Sequence, residues 1–280
     1  MERRAILKGI FYGTAMAGVS PLALSASHVV TLSNKPEPKV EVRDYLSKIK
    51  NFDHHFAEDV VATPEEYKLL KSVVARQKRL IQTIGYAHFA LMSFDDALMY
   101  AKSYSRIGEF TKPELEFMEK IFYRNAKDYG FYGDKVMAQL TGIINERDTQ
   151  KIPHTGNYLF KGDSTALYTK IHKDLRGKIY LTSGVRGIPK QIYLFLNKTI
   201  NTQGNYSMAS RSLAPPGHSY HGVGDFDVGK IGFGYRNFTE DFAHTDEYKR
   251  LEDLGYARIR YSQDNPFGVR YEPWHIKVTA

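Results

Sequence analysis

The chain has 280 residues, 42% hydrophobic and 25% charged, a globular profile long enough for one large domain or two modest ones. It has no cysteine, which excludes disulfides, thiolate zinc sites and a cysteine nucleophile, so any metal must rest on histidine and carboxylate ligands. The formal net charge of +8 suits anionic partners such as nucleic acid, anionic lipid or an anionic cell-wall polymer, without choosing among them. No run of consecutive Lys and Arg resembles a nucleic-acid arm, so no nucleic-acid partner is expected.

At the N-terminus, Met1-Glu2-Arg3-Arg4-Ala5-Ile6-Leu7-Lys8 is followed by an apolar, small-residue stretch from Gly9 to Leu24. Small residues in Ala23-Leu24-Ser25-Ala26-Ser27 offer a signal peptidase a place to cut. The pattern resembles a twin-arginine export signal. It implies a removable signal peptide over residues 1–27, a periplasmic location and no membrane span in the mature chain. Residues 28–40 contain Lys35-Pro36-Glu37-Pro38 and read as an extended linker.

Residues 41–148 read as a helical domain. Thr63-Pro64-Glu65-Glu66 combines an N-cap, a proline at the first helical position and a glutamate three after the cap. That helix is predicted to run to about Thr83, with Gly85 ending it. Ser93-Phe94-Asp95-Asp96 starts a shorter one; its acid pair belongs to the helix start. Thr111-Lys112-Pro113-Glu114 repeats the capping box ahead of an apolar stripe of Leu115, Met118, Ile121 and Phe122, with Gly130 as the stop. A last helix is predicted over 134–145. Asp53-His54-His55 reads as an exposed polar cluster.

Residues 149–280 have a different texture. Strands are predicted over 178–182, 225–228, 256–261 and 276–278, and helices over 189–201 and from Thr245 to Gly255. The expected fold class is α+β: an all-helical N-terminal domain followed by a C-terminal α+β domain with a small, mainly antiparallel sheet.

Chemistry concentrates in two stretches. Pro216-Gly217-His218-Ser219-Tyr220-His221-Gly222-Val223-Gly224-Asp225-Phe226-Asp227 holds two His and two Asp. His221, Asp225 and Asp227 share parity, so an extended segment could aim all three at one point. Downstream, Glu272-Pro273-Trp274-His275 supplies a second imidazole and a further carboxylate. Two imidazoles and one carboxylate suit Zn²⁺ and leave a position open, while a carboxylate kept off the metal can move protons. His218 is expected beside the ligands rather than among them, and Trp274 to pack beneath the site.

Together these stretches resemble the zinc D-alanyl-D-alanine carboxypeptidases of the VanY and VanX type. The family pattern is Ser-x-His-x-x-Gly-x-Ala-x-Asp followed far downstream by Glu-x-x-His, often as Glu-Pro-Trp-His. Upstream, Thr182-Ser183-Gly184-Val185-Arg186 followed by Gln191 resembles the family's Ser-Gly-Tyr-Arg segment. Gly255-Tyr256 and Arg260-Tyr261 resemble the strand before its last motif. The similarity runs from about Gly156 to Val278. One departure is the spacing: Asp227 lies six positions after His221 where the family has seven, and no Ala precedes it. Asp227 is the better match because the aliphatic Val228 follows it, with Asp225 the other candidate.

The resemblance implies His221, Asp227 and His275 as ligands of a Zn²⁺ cofactor and Glu272 as general base. It implies Arg186 in charge balance and substrate binding, with Ser219 and Gln191 as further substrate-binding residues. The implied function is hydrolysis of the terminal D-Ala of peptidoglycan stem peptides by metal-activated water, in a zinc-peptidase domain over 149–280. L,D-carboxypeptidase or endopeptidase cleavage at the same zinc site, and an inactive peptidoglycan-binding module, are the alternatives.

Overall fold

The structure, a computed structural model, describes residues 42–278. The signal peptide expected over 1–27 and the linker over 28–40 lie outside the described residues. None of the described helices is long and apolar enough to cross a membrane.

The first half begins with α1 (Val42–Lys50), followed by α2 (Pro64–Ile84), α3 (Tyr86–Leu91), α4 (Phe94–Ser103) and α5 (Lys112–Tyr123). The starts of α2, α4 and α5 are set by reciprocal capping boxes at Thr63, Ser93 and Thr111, each side chain satisfying an otherwise orphaned backbone N–H. Gly85, at φ +86°, lets the chain leave α2 and re-enter α3 at once.

Two sequence expectations fail here. The α5 helix stops at Tyr123, and Gly130 instead closes a short 3₁₀ turn over Ala126–Tyr129. The helix expected over 134–145 is absent; the segment is irregular. Its polar groups are satisfied by other parts of the molecule: Met137 N–H donates to Gly217 O (2.9 Å), Leu140 N–H to the Tyr123 hydroxyl (3.3 Å), and Lys135 Nζ to Phe122 O (2.5 Å). These tertiary bonds outweigh a helical pattern already weakened by Gly142 and the β-branched residues around it.

The second half opens with a hairpin of β1 (Thr149–Ile152) and β2 (Asn157–Phe160), then α6 (Asp163–Asp174). It continues through β3 (Ile179–Ser183), α7 (Ile188–Asn201), α8 (Tyr206–Ser210), β4 (Phe226–Lys230), α9 (Asp246–Asp253) and β5 (His275–Ile276). The central sheet is antiparallel with order β3-β4-β5. The strand expected over 256–261 is reduced to a single bridge between Ile259 and Ile276. Arg260 there turns inward to the buried Asp225 carboxylate.

One face of the sheet is apolar. Ile179, Leu181, Phe226, Val228 and Ile276 pack with Trp274 into a core closed by α6 and α9. A second core joins Leu70, Val73 and Leu80 of α2 to Ile188, Ile192 and Phe195 of α7. Packing is therefore continuous across residue 148: residues 40–280 cluster as one compact unit, and the expected boundary between 41–148 and 149–280 is a change of texture, not a gap. Two hydrogen bonds tie α2 and α3 to the start of α7, Gln77 Nε2 to Pro189 O (3.3 Å) and Gly187 N–H to Ala90 O (2.7 Å).

Candidate metal and catalytic site

The site grows from sheet register. Asp227, in the middle strand, lies opposite Ser183 of β3 on one side and His275 of β5 on the other. Directly opposed residues of an antiparallel pair present their side chains on the same face. Phe226 and Val228 take the apolar face, so Asp227 must point to the opposite one. The shorter His221-to-Asp227 connection closes through a tight turn over Tyr220–Gly222, in which the N–H groups of Val223, Gly224 and Asp225 all donate to Tyr220 O. Gly224 takes φ +138° inside this turn.

His221, Asp227 and His275 are all buried, and one ligating atom from each lies within 4.8 Å of the others. Asp227 Oδ1 is 3.2 Å from His221 Nε2 and 3.1 Å from His275 Nδ1. The outward nitrogens are fixed. His221 Nδ1 lies 2.9 Å from Gly184 O, so that nitrogen carries the proton and Nε2 keeps its lone pair. His275 Nε2 lies 3.1 Å from Asp225 Oδ2, which leaves Nδ1 facing Asp227.

His221 Nε2 and Asp227 Oδ1 are buried yet have no hydrogen-bond partner. Such orphans are costly unless something else satisfies them. A divalent cation would: two imidazole nitrogens and a carboxylate oxygen, with no thiolate, are a donor set that fits Zn²⁺. Asp225 supplies the supporting carboxylate for His275, and it is held in turn by Arg260 and by Val278 N–H (2.9 Å). Of the two aspartates, Asp227 is thus in the cluster and Asp225 behind it.

The electrostatics agree with this geometry. Burial, helped by the Arg186 guanidinium, pulls His221 down to about 4, so its imidazole is neutral and Nε2 could serve as a ligand. Burial also opposes a charge on His275, but the hydrogen bond to Asp225 and the negative charge of Asp227 outweigh it and push the imidazole up to about 9. Asp227 is held well below the usual carboxylate range despite its burial, by His221 and Arg186. In the protein alone, a proton on His275 occupies the electrostatic place of a cation.

Glu272 stands beside this group without joining it: Oε2 is 3.9 Å from His275 Nδ1. Burial pushes its carboxyl up to about 7, against the pull of Arg270 and His275. Arg186 binds the cluster from the far side, with Nη2 2.6 Å from Asp227 Oδ2 and Nε 3.1 Å from Ser183 Oγ. Ser219 is buried two positions before His221, at the N-cap of that turn.

Gln191 is placed differently from expectation. Its Nε2 donates to Arg186 O (2.8 Å) and its Oε1 accepts from Gly217 N–H (2.8 Å). Both ends of the amide are committed to backbone, so Gln191 braces the two site loops and has no free group for substrate. His218 also braces, its Nδ1 lying 3.2 and 3.1 Å from Gly133 O and Asp134 O. Trp274 packs in the core beneath, edge-on to Phe238. The sequence reading missed the contribution of residues 133–140, which have no motif. The only signal was their length without a clear amphipathic stripe.

The family profile described as VanY, D-alanyl-D-alanine carboxypeptidase, matches residues 165–280. No curated protein matches the chain. Among solved structures, a VanY D,D-pentapeptidase variant from a VanB-type resistance cassette in complex with Zn(II) is similar at 20% identity. That match covers 47% of this chain and 78% of that one, with a TM-score of 0.38. VanYB in complex with D-alanine-D-alanine shows 20% identity over 47% of this chain and 77% of that one (TM-score 0.39). The LdcB LD-carboxypeptidase shows 23% identity over 46% and 62% (TM-score 0.38). Residues 165–280, the stretch that carries His221, Asp227, Glu272 and His275, are thus similar to the VanY family of D-alanyl-D-alanine carboxypeptidases.

Proposed function

We propose that the protein is a zinc metallopeptidase that removes the terminal D-Ala from peptidoglycan stem peptides. The family match over residues 165–280 supports the reaction class, and the observation that carries the reading is the buried trio His221, Asp227 and His275 with its orphaned ligand atoms. Zinc, when bound, polarises the scissile carbonyl and makes water a nucleophile near neutral pH.

The chain's own residues supply the rest. His221 through Nε2, His275 through Nδ1 and Asp227 through Oδ1 hold the cation. Glu272, poised near neutrality, takes a proton from the attacking water and returns it to the leaving amine, so the amide C–N bond breaks without net proton change. Arg186 keeps Asp227 ionised and offers positive charge to the oxyanion that develops at the carbonyl. The exported, periplasmic setting belongs to the same proposal and rests on the N-terminal pattern alone.

Incubation of zinc-loaded protein with defined muropeptides, with and without a chelator, tests the reading by product mass. Loss of a single Ala that the chelator abolishes is expected. Cleavage of cross-linked dimers without Ala loss would make it an endopeptidase. No product from any muropeptide, with zinc bound, would overturn the peptidase assignment.

A further inference from the structure

Lys190 is the third residue of α7 and is fully buried. Its ammonium has no hydrogen-bond partner. The ring of Tyr86 faces it, 4.7 Å from Nζ to the centroid. Tyr86 comes from the first half of the chain, at the start of α3, and is 46% exposed, so it stands between the ammonium and solvent. Both side chains feel the charges of Arg186 and Asp227, and Gln191, the next residue after Lys190, donates to Arg186 O (2.8 Å).

A buried cation without an anion is costly, and a methionine would fill the same volume without that cost. Such groups concentrate where charge must be handled. Burial and the neighbouring Arg186 pull Lys190 down to about 7, a state that an arriving anion would reverse. Arg186 has one edge of its guanidinium, formed by Nε and Nη2, already taken by Ser183 and Asp227, and the donors that remain are the ones assigned to the reacting carbonyl.

A peptide cleaved at its C-terminal bond brings a free carboxylate close to the scissile carbonyl. We propose that Lys190, beneath the ring of Tyr86, is the cation that receives this terminal carboxylate, leaving Arg186 to serve Asp227 and the reacting carbonyl. In the free protein the Tyr86 ring covers the face of the ammonium that the carboxylate takes. The inference rests on the peptidase reading. It also gives the helical half a place in substrate recognition, through a residue that the family match does not include.

The test compares a peptide ending in D-Ala-D-Ala with its C-terminal amide, using the zinc-loaded full chain. The wild type is expected to favour the acid, and Lys190→Met to lower the acid-to-amide ratio of kcat/KM on the order of 100-fold, the worth of a charge-assisted bond. Lys190→Arg should restore part of the ratio, and Lys190→Met should melt no lower than wild type. If Lys190→Met fails to fold, Lys190→Gln gives the same reading. An unchanged acid-to-amide ratio in a folded, zinc-loaded variant overturns the role of Lys190. Binding of the same two peptides to Glu272→Gln, with and without Lys190→Met, separates this from failure of the peptidase reading. Acid-selective binding that needs Lys190, without hydrolysis by the wild type, would sink the activity and keep the subsite. Binding that ignores the charge would sink the subsite.

Discussion

Asp225 and His275, fifty positions apart in the chain, meet through Oδ2 and Nε2 at 3.1 Å. This contact turns the imidazole so that its other nitrogen faces Asp227. Asp225→Asn should keep the shape and weaken that orientation. Zinc affinity is expected to fall about 10- to 100-fold, as for other carboxylates behind a ligating histidine. Competition with a chromophoric chelator measures it; unchanged affinity would mean that Asp225 only neutralises Arg260.

Glu272→Gln should bind zinc as the wild type does and lose turnover by about 1,000-fold, the usual worth of a positioned proton carrier. Metal analysis and kcat, read on one preparation, check both halves. Full activity in the variant would remove Glu272 from the reaction.

The same residue sets a pH limb. A base must be deprotonated to act, and Glu272 is raised to about 7 by burial. The rate should therefore climb with pH through the region at or just below 7, since a bound dication pulls the carboxyl lower. A kcat/KM profile with its acid midpoint below about 5 would show that this carboxylate is not the base.

Metal uptake should be linked to protons through His275. Its folded-state value of about 9 lies above the ordinary 6.5, so its stabilising contribution to metal-free protein is complete below 6.5 and is lost as pH rises through about 9. Zinc must displace that proton. Between these limits zinc binding is expected to release about one proton and to tighten as pH rises. Calorimetric titration in buffers of different ionisation enthalpy counts the protons; none released at pH 7 would contradict the charge state given to His275.

Gly184 is a tight spot beneath the site. A Cβ there would lie 2.0 Å from Tyr158 O, and the Gly184 carbonyl is the partner of His221 Nδ1. Gly184→Ala should cost about 1–3 kcal/mol, as overpacking does, and loosen zinc as well. Denaturant unfolding and metal affinity should move together.

What the sequence disclosed follows from how local each signal is. The capping boxes at Thr63, Ser93 and Thr111 are four-residue patterns, and the helices start where they predict. His221, Asp227 and His275 were legible as a group because spacing and residue type both pointed one way, and the structure brings them together. The hairpin of β1 and β2 left little trace, because its strands are only four residues each. The segment 134–145 misled because its backbone partners are distant in sequence. Gln191 was assigned to substrate from its motif position, whereas its amide is consumed by the loops on either side. Tyr86 and Lys190 belong to no motif, and only their meeting in space draws attention to them.

The loops that carry Arg186 and His221 are gripped from the first half of the chain: Ala90 holds Gly187, Met137 holds Gly217, and the backbone at Gly133 and Asp134 holds His218. A fragment beginning at residue 149 would be left with one jaw of a vice. The matched stretch is consequently no portable cassette, and transplanting it into another scaffold would require the helices to travel with it.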